Sequence, residues 1–195
     1  MGPPSQAVGV SLPGYRAPSV GVESPFELLA ACHDRVRRSL DLLERLKRHL
    51  LDTGCDDEAR SAARDVLRYF DVAAPLHHQD EELHVFPPLL AGPDVALHAL
   101  VQKLQSEHIQ MEVRWKAARG VLQDIVNANP VAAFMLDVPD VQRLDDFLVL
   151  YARHMDDEEQ TVYPASRDSL SEPILQAMGR EMGERRGLSP VRGRR

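Results

Sequence analysis

The chain predicts an all-α fold, an antiparallel up-down-up-down four-helix bundle with a short C-terminal helix. Three observations predict it. Apolar residues recur at helical spacing through four long stretches. Period-two runs of β-branched residues, the mark of strands, are absent. One pattern, His, three residues, Glu-Glu, three residues, an aromatic, then Pro, occurs twice, as HHQDEELHVFP from His77 and as HMDDEEQTVYP from His154. Short connections between long amphipathic helices favour antiparallel neighbours.

The elements follow in order. Residues 1–23, with their Pro, Gly and Ser, predict an extended lead-in, and residues 24–187 the bundle itself. Ser24 as N-cap, Pro25 in the first turn and Glu27 completing a capping box start the first helix. Its stripe of Leu28, Leu29, Cys32, Val36, Leu40, Leu43, Leu46 and Leu50 runs to about Leu51, where Thr53-Gly54 stops it. The second helix spans about Asp56 to Val85, with Val66, Leu67, Phe70, Ala73, Ala74, His77 and Glu81 inward. Pro75 predicts a kink one turn before His77, and Pro87-Pro88 predict the stop. A third helix, about Pro93 to Asn127, carries Leu97, Leu100, Val101, Leu104, His108, Met111, Glu112, Trp115, Leu122 and Ile125. The fourth, about Pro139 to Tyr163, turns Leu144, Phe147, Leu148, Tyr151, His154, Glu158 and Val162 inward. A short fifth helix covers about Glu172 to Glu184, and residues 188–195 read as a disordered basic tail.

Composition narrows the function. At 195 residues the chain is long enough for one core. A net charge of −7 argues against nucleic-acid binding. The exception is the basic stretch from Arg180 to Arg195, ending RGLSPVRGRR, which reads as a solvated terminus with a contact segment as the alternative. No run of 18 apolar residues is present, so no membrane span is expected. The N-terminus has no basic or apolar leader pattern, which predicts a cytoplasmic chain, monomer or homodimer, with Cys32 and Cys55 as thiols. Cys32 reads as a small buried hydrophobe.

His33, His77, His108 and His154 each fall on the apolar stripe of a different long helix. Glu81 and Glu158 stand four residues after His77 and His154, on the same helix face. His33 precedes His77 by 44 residues and His108 precedes His154 by 46, so two similar halves each offer a lone His and then a His-xxx-Glu. One His on an apolar face is ordinarily a hydrogen-bonded core residue. Four, with two carboxylates that would each cost several kcal/mol if buried unpaired, point to metal. The donors are nitrogen and oxygen without sulfur, which disfavours a structural zinc site and suits iron or manganese. Two ions sharing both carboxylates and an oxo or hydroxo bridge would keep positions open for dioxygen, nitric oxide or peroxide.

This arrangement, with its trailing Glu-Glu-xxx-aromatic-Pro, resembles the hemerythrin-like (HHE cation-binding) domain family over about Ser24 to Ala165. The resemblance implies a non-haem di-iron centre with His33, His77, Glu81, His108, His154 and Glu158 at the ligand positions and Glu81 and Glu158 as bridges. Ferritin-like bundles use Glu-x-x-His instead, an order this chain lacks. Oxygen-carrying hemerythrins have a fifth His four residues after the third-helix His. Here that position is Glu112, expected as a seventh ligand or proton relay, or else as the partner of an Arg. The ligand set is also similar to that of proteins that repair iron centres, whose cysteine-bearing N-terminal segment has no counterpart here. The expected function is the binding or sensing of a small diatomic ligand (dioxygen or nitric oxide) or of iron. The alternatives are a di-iron enzyme acting on peroxide or nitric oxide or in iron–sulfur cluster repair, and a metal-dependent structural bundle. Among the neighbours, His78 and Glu82 are expected on the helix flank, with Glu82 or Glu159 able to replace its neighbour as ligand after a slight helix rotation. Asp80 and Asp157 are expected in solvent, Phe86 and Tyr163 as plugs at the bundle end, Tyr69, Met111, Trp115 and Tyr151 in the core, and His49 and His98 on the surface.

Overall fold

The computed structural model describes residues 24–129 and 134–187, and every regular element among them is helical. The expectations for residues 1–23 and 188–195 lie outside the described residues. None of the described helices is long and apolar enough to cross a membrane.

Helix α1 spans Pro25–Asp52. Ser24 holds the N-cap position but its side chain makes no cap bond, so the expected box with Glu27 does not form. Pro25 at the first helical position has no N–H to satisfy. The helix ends as expected: the Thr53 and Gly54 N–H groups both donate to His49 O, and Gly54 adopts φ +95, a conformation that favours glycine. Helix α2 spans Asp57–Asp80, capped by Asp56, whose Oδ1 accepts from the Ala59 N–H at 2.8 Å. It runs through Pro75.

Two expected endpoints are corrected. Pro87-Pro88 do not stop the second helix. After Asp80 the chain makes one π-helical turn, Glu81–Val85, and continues as α3, Phe86–Ala91. A Pro forfeits the bond to residue i−4 and its ring crowds that carbonyl. A single wide turn ahead of Pro87 relieves the crowding, with the Phe86 N–H reaching back to Glu81 O. The second copy of the motif repeats the device. Glu158–Val162 form a π-helical turn, the Tyr163 N–H reaches Glu158 O, and the chain goes on past Pro164 as α7, Tyr163–Ser169.

Helix α4, Val95–Asn127, starts on Asp94, which accepts from the Ala96 and Leu97 N–H groups. The expected fourth helix is two pieces, α5 (Val138–Leu148) and α6 (Tyr151–Asp157). Between them the Leu150 N–H bonds only three residues back, to Phe147 O, and this tightened turn keeps Phe147, Tyr151 and His154 all buried. Helix α8 covers Glu172–Arg185.

Packing runs from α1 to α2, α2 to α4, α4 to α5, and α5 back to α1, which closes a helical bundle. Its interior is divided. One apolar cluster holds Val36, Leu43, Val66, Phe70, Met111, Leu122 and Phe147. The other holds Phe26, Leu29, Val85, Phe86, Leu104, Val162, Tyr163 and Met178. Along α1, α2 and α4, the His positions fall between the two, so a polar layer crosses the bundle with apolar packing on either side.

Asp80 is not on the surface. It is fully buried, with α8's neighbouring arginines as its counter-ions: Arg185 lies 2.7 Å from Oδ1 and Arg186 2.5 Å from Oδ2. Asp80 directly precedes Glu81, so α8 is tied by charge to the start of the first π-helical turn. Removing the arginines would strand a buried carboxylate. The double substitution Arg185→Ala/Arg186→Ala is expected to lower stability by about 3–5 kcal/mol in urea unfolding, and Asp80→Ala in that background to recover part of it. An unchanged urea midpoint would show that the pair carries no such weight.

Candidate metal centre

Six side chains meet in the polar layer: His33 from α1, His77 from α2, Glu81 from the first π-helical turn, His108 from α4, His154 from α6 and Glu158 from the second π-helical turn. His33, Glu81 and Glu158 are 0% exposed, and the least buried, His108, is 7% exposed, so bulk water does not solvate the charges. The His-xxx-Glu spacing stacks each pair on one helix face, with His77 Nε2 3.3 Å from Glu81 Oε1 and His154 Nε2 3.1 Å from Glu158 Oε1.

Each carboxylate faces three imidazoles, both of one pair and one of the other. Glu81 turns Oε1 to His77 and His33 and Oε2 to His108 at 3.5 Å. Glu158 turns Oε2 to His33 at 3.1 Å and Oε1 to His154 and His108. His108 and His154 bring their Nε2 atoms within 3.1 Å of one another. Yet neither Glu158 oxygen nor Glu81 Oε2 makes a hydrogen bond of proper geometry. Buried carboxylate oxygens without hydrogen bonds are costly, and a shared cation between the nitrogen and oxygen donors removes that cost. Two donor groups satisfy this requirement: His33, His77, Glu81 and Glu158 in one, His108, His154 and Glu158 in the other, the donor atoms of each within 4.8 Å of one another.

The electrostatics of the bare donor set are strained. Burial and then the charge of Glu158 push the Glu81 carboxyl well up. Burial also pushes Glu158 up, but His154, His108 and His33 outweigh it and hold that carboxyl well below its usual range. Burial works against a charged His154, while Glu158 and Glu107 lift it to about 9. His77, pressed by burial and by its neighbouring imidazoles, is held well below the ordinary histidine range. Two carboxylates this close and this buried cannot both stay ionised without a compensating charge.

The outer contacts are the part the sequence reading missed. His108 donates from Nδ1 to Glu82 at 3.0 Å, His33 to Glu159 at 2.8 Å and His154 to Glu107 at 3.0 Å. Carboxylates in this role fix the tautomer and leave Nε2 free to face a metal. Arg37 backs Glu159, Lys103 backs Glu107 and Gln105 backs Glu82. Glu82 and Glu159 therefore neither face away nor replace their neighbours. The second Glu of each motif serves the lone His of the opposite half. The only signal for this was the doubled Glu-Glu itself; nothing in the sequence pointed to Glu107. His77 Nδ1 is the one imidazole Nδ1 of the four without a partner.

Other expectations are also corrected. Glu112 does not join the layer. It is 68% exposed and pairs with Lys116 at 2.9 Å, because the buried stripe of α4 runs from His108 through Met111 to Ala118 and leaves Glu112 on its solvent flank. Phe86 and Tyr163 are buried, but they act on the site: Phe86 stacks on His108 and Tyr163 on His33. His78 is half-buried and its ring stacks on His108 with centroids 4.1 Å apart. His49 and His98 are each half-buried, hydrogen-bonded to Asp56 and to Gly92 O. Asp157 sits beside Lys103 at 2.5 Å.

The fold and the paired His/Glu layer define a helical metal-binding domain. Residues 24–166 match the family model described as the hemerythrin HHE cation binding domain, and the chain belongs to that family. It is also similar to a Haemophilus influenzae protein described only as uncharacterized, 32% identical over 163 residues that cover 83% of this chain and 90% of the relative. Helix α8 lies beyond the matched domain.

Glu159→Gln is expected to weaken metal binding by about 10–100-fold, as loss of an outer carboxylate does, while Glu112→Gln leaves it unchanged. Chelator competition measures both, and equal affinities for the two variants would refute the assignment of Glu159 to the outer contacts.

Proposed function

We propose that this protein is a non-haem di-iron member of the family that binds a small diatomic ligand, dioxygen or nitric oxide. His33, His77, His108 and His154 would hold the two irons, with Glu81 and Glu158 bridging them. The observation that carries this reading is that each of two fully buried carboxylates directs one oxygen to each of two imidazole pairs. Nitrogen and oxygen donors without sulfur favour iron over a structural zinc. The bundle order inferred is up-down-up-down through α1, α2, α4 and α5–α6, which the closed ring of packing supports.

When bound, iron supplies redox activity and exchangeable coordination positions. The chain's residues do the rest. Glu82, Glu107 and Glu159 fix three imidazoles with Nε2 inward. The two apolar clusters exclude water from both sides of the layer. Because Glu112 stays at the surface, α4 contributes a single donor to the centre, and the His108–His154 position is the less crowded of the two.

Protein from iron-supplemented cells is expected to hold about two irons per chain with the near-ultraviolet absorption of an oxo bridge, and to form a lasting adduct with dioxygen or nitric oxide after reduction. His77→Ala and Glu158→Ala are each expected to lose most of the metal. Normal iron content in both variants would refute the ligand assignment. Fast turnover of nitric oxide or peroxide with no adduct would replace the binding reading with an enzymatic one.

A further inference from the structure

The two motifs treat the lone His of the opposite half alike, with one chemical exception. In each, the motif's aromatic ring lies on the lone His of the other half: Phe86 over His108, with centroids 5.6 Å apart at 24°, and Tyr163 over His33, 5.4 Å apart at 22°. The motif's second Glu bonds the same His from its far nitrogen, Glu82 to His108 and Glu159 to His33. The exception is the hydroxyl, which Tyr163 has and Phe86 lacks.

That hydroxyl is not spent on backbone or solvent. Tyr163 Oη donates to Glu81 Oε1 and stands 3.1 Å from His33 Nε2. Both partners are donor atoms of the His33–His77–Glu81–Glu158 group, and both are fully buried. A tyrosine retained only as a plug would need no contact with either, and Phe86 shows that the ring packs without the oxygen. The phenolic oxygen is therefore a third donor atom converging with Glu81 Oε1 and His33 Nε2.

We propose that Tyr163 is a ligand of the metal ion at the His33–His77 position. This rests on the di-iron reading above and deepens it. The His33–His77 position then has five protein donors, His33, His77, Glu81, Glu158 and Tyr163. The His108–His154 position has His108, His154 and Glu158, with Glu81 Oε2 3.5 Å from His108 and the Phe86 ring where Tyr163's counterpart would bring a hydroxyl, and it keeps the exchangeable site for a small ligand. On coordination the phenol O–H proton leaves for solvent as the oxygen–metal bond forms, and no electrons are transferred. A bound cation reverses the electrostatic preference that keeps a buried phenol neutral, as it does for a coordinating thiol.

The test is to load the full-length chain with ferrous iron without oxygen, oxidise it in air, and record iron content, visible absorption and resonance Raman spectra on the same sample. Wild-type protein with two irons is expected to show a phenolate-to-iron(III) charge-transfer band and tyrosine ring modes in resonance with it. Those modes shift when the tyrosines are ring-deuterated, which shows a tyrosine ligand without any mutation. Tyr163→Phe is expected to lose the band while still binding iron; Tyr69→Phe and Tyr151→Phe are expected to keep it. Two bound irons with no tyrosinate band, or a band that survives Tyr163→Phe, overturns the proposal. A wild-type chain that takes up no iron overturns the di-iron reading instead, and the proposal with it.

Discussion

Two carboxylates buried to zero exposure, with four imidazoles around them, are the constraint on which the rest of this structure depends. A bare pair of that kind would repel itself in a medium that screens poorly. Every feature nearby makes the arrangement tolerable or uses it. The imidazoles answer the charge, outer glutamates orient the imidazoles, and apolar packing above and below keeps the layer dry. The layer also divides the hydrophobic core in two, so the bundle cannot rely on one continuous apolar seam. This is the stability reason to expect a cation between the donors: without it, the least favourable part of the molecule lies at its centre.

The backbone serves the same layer. Both carboxylates sit on the first residue of a π-helical turn, and both turns are followed by an aromatic and a proline. The proline makes the wide turn worthwhile, because the helix would otherwise have to break there. The motif thus encodes more than ligands: its proline sets the local winding at which the ligand and the following aromatic both point inward. The aromatic then covers the histidine of the opposite half, and the second glutamate bonds that histidine's outer nitrogen. Each repeat therefore completes the partner's site, and neither half would make an intact centre by itself.

Helix α8 adds a second electrostatic tie. Asp80, one residue before Glu81, is paired with Arg185 at the end of α8 and with Arg186 just beyond it. An element outside the matched domain is in this way coupled to the start of a ligand-bearing turn. Arg186 also approaches Cys32 Sγ at 4.0 Å, so it contacts the residue before His33 as well as the residue before Glu81.

The sequence by itself determined the helical class, most helix starts and the six residues of the inner layer. Those signals are local: period 3.6 for the stripes, Pro25 in the first turn of the first helix, and i, i+4 spacing for each His–Glu pair. Whatever depends on which side chain a neighbouring helix presents was decided only by the tertiary structure. Asp80 reads as a surface acid until α8 folds back over it. Glu82 and Glu159 read as flank residues or spare ligands, and Glu107 carries no signal, until an imidazole from another helix comes within bonding distance. Glu112 reads as a ligand because four-residue spacing puts it near His108's face. Which flank of that face turns inward is set by packing: α4's buried stripe continues from His108 through Met111 and Ala118, and Glu112 falls on the solvent side of it. Tyr163's hydroxyl, aimed at Glu81 and His33, has no sequence signal at all. Its direction follows from the π-helical winding and from the position of α1, and both exist only once the chain has folded.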